Sequence, residues 1–409
     1  VPTASPASTE RPRPPADVVI AGAGPQALTL ACLLLQKRPR CRRHLRVFDP
    51  SGTWLHGWHR QMERLGIPQL RSPSPHHPHP NPNALRTYAQ EHQRSRELEG
   101  PYLIPHTALF QAFCRSVVQE FELTDRVQAA SLETVELRGE PSDGLNLGLS
   151  DGSRLQARRL VIATGSGTPQ LPPWVERIGG PYPSHALAHS QTIDLANCRD
   201  LADRHVLIVG GGLTSAHLAV GAIRRGARVT LLCRRHLRSK LFDADPGWLG
   251  PKYLKAFQSE PCWQRRRHQV LAARDGGSIT PQLAMTLQWE RQHGTLQIQE
   301  QCEVSDAHWC DGHWQVRCRT GSALVADRIW LATGHQLGVS HHPLLRQLRR
   351  QTPLELVDDW PVLTSDLRLP GTAVHVMGGL ASLRLGPAAR NLYGGRAAAR
   401  EISRALIKG

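Results

Sequence analysis

The stretch Asp17-Val18-Val19-Ile20-Ala21-Gly22-Ala23-Gly24-Pro25-Gln26-Ala27-Leu28 decides how this chain folds. Its first five residues hold a single charge, the pattern of a strand buried on both faces. Gly22-x-Gly24-x-x-Ala27 follows directly, and the apolar spacing from Gln26 to Gln36 predicts a helix. The order is therefore strand, tight turn, helix. Gly22 permits the turn, Gly24 lets a pyrophosphate approach the backbone, and Ala27 lets the helix pack closely on the strand. The free N–H groups and dipole at the start of the helix favour an anion there, next to Pro25 and Gln26. The next apolar run, Leu45–Phe48, ends at Asp49, whose carboxylate can accept hydrogen bonds from a ribose diol. The alternative for Asp49 is a turn residue ahead of Pro50.

The same signal recurs downstream. His205–Val209 reads as a strand and leads into Gly210-Gly211-Gly212-Leu213-Thr214-Ser215. The strand after it, Ala227–Leu232, ends in Cys233-Arg234-Arg235 rather than in an acid. Arginines at this place favour a 2′-phosphate, so the second unit is expected to take NADPH through Gly210, Gly212, Thr214, Ser215, Arg234 and Arg235. The alternative is that the two arginines are surface charges. Two short repeats accompany the units: Ala163-Thr164-Gly165 and Ala332-Thr333-Gly334 each close an apolar strand, RLVIATG and RIWLATG. Their small residues allow close backbone approach to a cofactor unit. The fold class is α/β, with two Rossmann-like dinucleotide-binding domains.

The rest of the composition limits the function classes. The chain has 409 residues, 40% hydrophobic and 21% charged, and its longest apolar run, Ala27–Leu35, is too short to span a bilayer. Residues 1–16, rich in Pro, Ser, Thr and Arg, are expected to form a flexible leader. The net charge of +16 comes from 45 arginines against 5 lysines among the 50 basic residues. They are scattered and no nucleic-acid module is present, so no nucleic-acid partner is expected, although the positive field would steer an anionic cofactor inward. The nine cysteines form no C-x-x-C pair, which removes the usual redox dithiol and zinc knuckle and fits a reducing, cytoplasmic setting. The Pro- and His-rich loop from Ile67 to Asn83 holds His76, His77 and His79 on an extended backbone that hinders convergence on a metal, and no metal site is expected. A helix follows over Ala84–Gln93, a meander of hairpins over 127–163, irregular helical stretches over 241–300, and a C-terminal helix over Gly386–Leu406, bent near Gly394-Gly395.

At this level of detail the chain resembles the two-dinucleotide-binding flavoproteins. Within them it is most similar to the flavin-dependent N-hydroxylating monooxygenases of the lysine and ornithine hydroxylase class. Gly22-Ala23-Gly24-Pro25-x-x-Leu28-x-x-Ala31 has the Gly-Pro form of that class's FAD fingerprint. Ser51-Gly52-Thr53-Trp54 is similar to a segment that places its Trp near the flavin. Asp327-x-x-x-Leu331-Ala332-Thr333-Gly334-His335 matches a D-x3-L-A-T-G pattern, and Met377-Gly378-Gly379-Leu380-Ala381…Leu385-Gly386-Pro387-Ala388-Ala389-Arg390-Asn391 resembles the closing segment that faces the isoalloxazine.

The resemblance covers roughly 17–240 and 320–409 and implies FAD and NADPH as cofactors. It implies an FAD domain over 17–175 and 325–409, interrupted by an NADPH domain over 176–324 that carries a substrate-side insertion at about 241–310. Trp54, Gly334, Gly378, Gly379, Leu385, Gly386 and Pro387 join the expected cofactor contacts. Arg71, His76 and His335 are the candidates beside a substrate. The implied activity is oxygenation of a nucleophilic nitrogen or sulfur of a small molecule by molecular oxygen, through a flavin hydroperoxide. Two other readings stand beside it: a regulatory, non-catalytic FAD protein of this fold, and an NADPH-dependent flavin reductase that transfers no oxygen.

Overall fold

The computed structural model describes residues 15–165 and 167–408. Most of the expected leader, residues 1–14, lies outside the described residues, while Ala16 already belongs to the first strand. Strand β1 (Ala16–Ala21) is buried at every position except Asp17, as its apolar run requires. Helix α1 (Pro25–Lys37) starts with Pro at its first turn, where a missing N–H costs nothing, and leads to β2 (Leu45–Asp49). β1 lies parallel to β2, with Ile20 opposite Val47. On its other side β1 pairs with β6 (Arg154–Ile162), with Ile20 opposite Val161. The expected meander is antiparallel only over β4 (Leu132–Leu137), β5 (Leu145–Leu149) and β6. Strand β3 (Val127–Ala129) instead extends the sheet in parallel beside β2.

The second sheet is wholly parallel. It contains β7 (Leu187–His189), β8 (His205–Val209), β9 (Arg228–Cys233), β10 (Leu296–Glu300) and β14 (Arg328–Leu331), in the order β10-β9-β8-β14-β7. Helix α2 (Leu213–Ile223) links β8 to β9. Three antiparallel strands, β11 (Val304–Cys310), β12 (His313–Cys318) and β13 (Ala323–Ala326), stand between β10 and β14. Strand β14 was expected on the far side of a boundary at 325, in the first domain. The structure pairs it with β8, Ile208 opposite Trp330, so the second sheet closes only after Leu331. The expected insertion over 241–310 is also shorter. Helices α3 (Pro251–Ser259) and α4 (Trp263–Arg274) pack Phe257 and Val270 against Val357, Trp360, Val362 and Leu383 of the first unit. Helix α5 (Pro281–Gln292) and β10 belong to the second unit, burying Leu287 and Leu296 in its core.

The chain returns to the first sheet through β15 (Val374–Val376), which lies parallel to the last three residues of β6. It ends in helix α6 (Leu392–Lys408), packed along α1. This helix begins six residues later than the sequence suggests and runs unbroken through Gly394-Gly395. A Cβ on Gly394 would stand 2.1 Å from the Ala388 carbonyl oxygen, and one on Gly395 would stand 2.7 Å from the Gln26 side chain. The pair therefore serves close packing rather than a bend. No helix among the described residues is long and apolar enough to cross a membrane.

Propensity and packing oppose each other at Gly394. Alanine is favoured over glycine by about 1 kcal/mol inside a helix, whereas overpacking a tight contact costs about 1–3 kcal/mol. The Gly394→Ala variant is predicted to melt several degrees below the parent in a thermal unfolding scan; an unchanged or higher midpoint would show that the contact is slack.

Candidate active site: one cleft between two phosphate cradles

The two Gly-rich loops have one geometry. Gly22 has φ +95°, and a Cβ there would lie 2.7 Å from the Ala163 carbonyl oxygen. Gly210 has φ +144°, with its virtual Cβ 2.4 Å from the Ala332 carbonyl oxygen. The Gly22 amide donates to Phe48 O (2.7 Å) and the Gly210 amide to Leu232 O (2.9 Å). Ala163 N donates to Ala21 O and Ala332 N to Val209 O, both at 2.8 Å. The Ala-Thr-Gly repeats thus cross behind the two glycine turns, each by the same bonds. Gly165 and Gly334 then both turn with positive φ, +88° and +86°.

Each cradle fits a phosphate. No side chain caps α1 or α2, neither has an acid in its first turn, and virtual Cβ atoms on Gly24 and Gly212 meet nothing within 4 Å. The open N–H groups and the room above them suit an anion. Asp49 Oδ2 accepts from Ala23 N (3.1 Å), while Oδ1 accepts from Ser51 N (3.0 Å) and Ser51 Oγ (2.6 Å). Its carboxylate thus braces the loop and still borders the cleft. At the end of β9, Arg234 is exposed and has no side-chain partner among the described residues, whereas Arg235 donates to the Asp275 carbonyl (3.1 Å).

Both cradles open onto one cleft of about 2250 Å³. Gly22, Gly24, Pro25, Gln26, Asp49, Ala163, Thr164 and Gly165 line it from the first unit. Gly210, Gly212, Thr214, Arg234, Arg235 and Gly334 line it from the second, and Gly378 and Gly379 from the closing segment. Five expected contacts fall elsewhere. Trp54 is buried and donates its Nε1–H to Leu123 O (2.9 Å), so it is a core residue. Ser215 is buried and its hydroxyl donates back to Gly212 O (2.7 Å). Gly386 faces Leu254, Trp248 and Phe257 of the inserted segment, and the Pro387 carbonyl accepts from Arg274. Leu385 packs with the first core and does not line the cleft. The two motif threonines also spend their hydroxyls within the protein, Thr164 on His342 Nε2 (2.7 Å) and Thr333 on the Gln170 carbonyl (2.5 Å).

Arg71, His76 and His335 all border the cleft. Arg71, however, donates to Leu241 O (3.1 Å), Ser278 O (3.0 Å), Lys240 O (2.6 Å) and Ser278 Oγ (2.8 Å). A guanidinium so occupied is a strut between the His/Pro loop and the inserted segment, and is corrected here from a substrate-facing role. Burial pushes His76 down to about 4, so it is neutral at pH 7, with its ring 5.4 Å from that of Tyr393. His335 is pushed down by burial, then by His189 and Arg390, and meets the His189 ring edge-on at 5.4 Å. His189 accepts from Gln191 N at Nδ1 (3.2 Å) and donates from Nε2 to Gly334 O (3.1 Å). The loop's other histidines go elsewhere: His77 to Pro82 O (3.3 Å) and His79 to Glu120 (3.0 Å).

Among the cleft residues given no role of their own from sequence are Asp243, Arg274 and Arg390. The one available signal was an arginine directly after the small and apolar run Gly386–Ala389.

Residues 19–167 match the family described as FAD-NAD(P)-binding. Among solved structures, the chain is similar to the ornithine hydroxylase of Pseudomonas aeruginosa, at 19% identity and a TM-score of 0.76, covering 96% of this chain and 99% of that one. It is similar to the ornithine N-hydroxylase of Kutzneria sp. 744, at 15% identity and TM-score 0.79 over 97% and 99% of the two chains. The L-lysine 6-monooxygenase of Pseudomonas syringae follows at 17% identity and TM-score 0.74, over 96% and 99%. The chain therefore has the fold of the two-dinucleotide-binding flavoprotein N-hydroxylating monooxygenases, and its first unit is an FAD/NAD(P)-binding domain.

The two cradles are separable by substitution. Left-handed backbone at a non-glycine residue costs about 1–3 kcal/mol before any clash. Gly22→Ala is predicted to purify with at least tenfold less bound flavin. Gly210→Ala is predicted to keep its flavin but to bind NADPH at least tenfold more weakly, as read by absorbance and by titration.

Proposed function

We propose that this chain is an FAD- and NADPH-dependent monooxygenase that oxygenates a nucleophilic nitrogen or sulfur of a small molecule. The observation that carries the reading is that two phosphate cradles of one design open onto a single cleft, which the closing segment Met377–Gly379 and His335 also line. FAD, when bound, supplies two-electron acceptance from NADPH and the activation of dioxygen. The chain's own residues supply the rest.

In this reading the α1 N-terminus and Gly24 hold the FAD pyrophosphate, and the acceptor capacity left on Asp49 meets the ribose. The α2 N-terminus and Gly212 hold the NADPH pyrophosphate. Arg234 takes the 2′-phosphate, because its guanidinium is unengaged, while Arg235 is tied to Asp275. The domains follow the observed sheets: 16–165 and about 335–408 for FAD, with the segment between for NADPH. Burial lowers both His335 and His189, which disfavours a positive charge on either ring. The walls from Ile67–His76 and from the inserted segment exclude bulk water from the reacting centre.

Electron transfer to a disulfide is the less favoured use of the same fold. Cys233 and Cys302 border the cleft, yet burial pushes the Cys233 thiol up to about 12 and its Sγ lies 3.5 Å from the Gly210 carbonyl. A protonated, carbonyl-bound thiol is a poor nucleophile. The regulatory reading would leave the open second cradle without a use.

The reading predicts that the flavin-loaded protein, given NADPH, air and a panel of primary amines and thioethers, forms an oxygenated product in amounts approaching the NADPH oxidised. NADPH oxidation that yields only hydrogen peroxide with every compound would count against it. A charge-assisted hydrogen bond is worth about 1.5–3 kcal/mol, so Arg234→Ala should reduce the preference for NADPH over NADH by about tenfold or more in kcat/KM. An unchanged preference would move the 2′-phosphate contact elsewhere.

A further inference from the structure

A carboxylate stands among the arginines that follow β9. Arg234, Arg235 and Arg238 line the cleft, and so does the turn Asp275-Gly276-Gly277-Ser278 between α4 and α5. Asp275 is ion-paired with both Arg235 (3.5 Å) and Arg238. Arg235 also donates to the Asp275 carbonyl (3.1 Å), and a Cβ on Gly276 would fall on the Arg235 guanidinium. Arg235 is lowered from its ordinary value by desolvation and then by Arg234 and Arg238, so the three guanidiniums share one small region with a single carboxylate between two of them.

The same turn reaches the second phosphate cradle. A Cβ on Gly277 would stand 3.5 Å from the Cα of Gly212, the residue at which a pyrophosphate approaches the backbone. The turn is anchored at both ends. Arg274 pairs with Asp243 and donates to the Pro387 carbonyl (2.9 Å), while the Ser278 carbonyl and hydroxyl accept from Arg71 (3.0 and 2.8 Å). Between these anchors Asp275, Gly276 and Gly277 have φ of +48°, +70° and +95°, and the two glycines leave the middle free to swing. The ion pairs of Asp275 hold that middle down. Ion pairs this exposed are individually weak and are readily exchanged.

We infer that Asp275 is an internal stand-in for the 2′-phosphate of the nucleotide, and that the strap Asp275–Ser278 is a latch which a 2′-phosphorylated nucleotide opens. A phosphate monoester carries a charge of about −1.5 to −2 at pH 7 on three acceptor oxygens, more than a carboxylate offers. It meets the exposed Arg234 first and then takes Arg235 and Arg238 from Asp275, so that the strap moves off Gly212. A nucleotide without that phosphate has nothing to exchange for Asp275. The latch and Arg234 therefore both contribute to the preference for NADPH over NADH. This rests on the reading that the second cradle holds NADPH.

The test uses the full chain loaded with FAD, with adenosine 2′,5′-bisphosphate and 5′-AMP as probes in a binding titration. Asp275→Asn removes the charge and keeps a residue type that tolerates positive φ. It should bind the bisphosphate about three- to tenfold more tightly, because two exposed ion pairs no longer compete, and leave 5′-AMP affinity unchanged. In a chain already carrying Arg235→Gln and Arg238→Gln, the same substitution should give no gain. Hydrogen exchange over residues 275–278 of the parent should quicken with the bisphosphate and not with 5′-AMP. Bisphosphate binding that Asp275→Asn leaves unchanged or weakens, an equal gain for 5′-AMP, a gain that persists without the two arginines, or exchange that the bisphosphate slows, each overturns the inference. If Gly210→Ala weakens the bisphosphate and Asp275→Asn does not tighten it, the latch alone fails. If neither substitution changes its binding, the placement of NADPH on the second cradle fails with it.

Discussion

The carbonyl oxygen of Ala163 occupies the space where a side chain on Gly22 would stand, and the carbonyl oxygen of Ala332 does the same beneath Gly210. These two backbone contacts constrain everything around them. They force a strand to end directly behind each phosphate turn, which is why RLVIATG and RIWLATG are near copies separated by 169 positions, from Gly165 to Gly334. Because each strand is also hydrogen-bonded along its neighbour, β6 on β1 and β14 on β8, the turns are held by sheet registers rather than by loop packing. A helix N-terminus held by a sheet keeps its N–H groups aimed at one point, as an anion site needs.

The cleft that both turns line carries several charged groups. Its ends offer helix N-termini, and the second offers the exposed Arg234 as well. Burial lowers His76 and His335, two of the histidines that line it. Arg71, Arg274 and Arg390 also line it, together with Asp243, which pairs with Arg274. Part of the chain's overall charge of +16 therefore lines the cleft.

Much of this was legible in the sequence wherever a local rule acts alone. The strand–glycine–helix units, Asp49 at a strand end and the Arg234-Arg235 pair follow from periodicity and spacing, and β1, α1 and β8 start within a residue of the positions read. What escaped depends on contacts between distant segments. Gly394-Gly395 reads as a break, because propensity knows nothing of Ala388 or Gln26 lying against it. Trp54 reads as a flavin neighbour by motif, but its indole N–H needs an acceptor and finds one at Leu123, inside the core. Arg71 reads as substrate-facing until Lys240, Leu241 and Ser278 are seen to take its donors.

The central claim is that one chain brings FAD and NADPH into contact through two cradles on a common cleft. Its most direct measurement is the visible spectrum of the FAD-reconstituted protein, followed in the absence of oxygen as NADPH is added. The account predicts stoichiometric bound flavin that NADPH bleaches, with the yellow form returning when air is admitted. A protein that cannot be loaded with flavin, or a bound flavin that stays oxidised under excess NADPH, would contradict it.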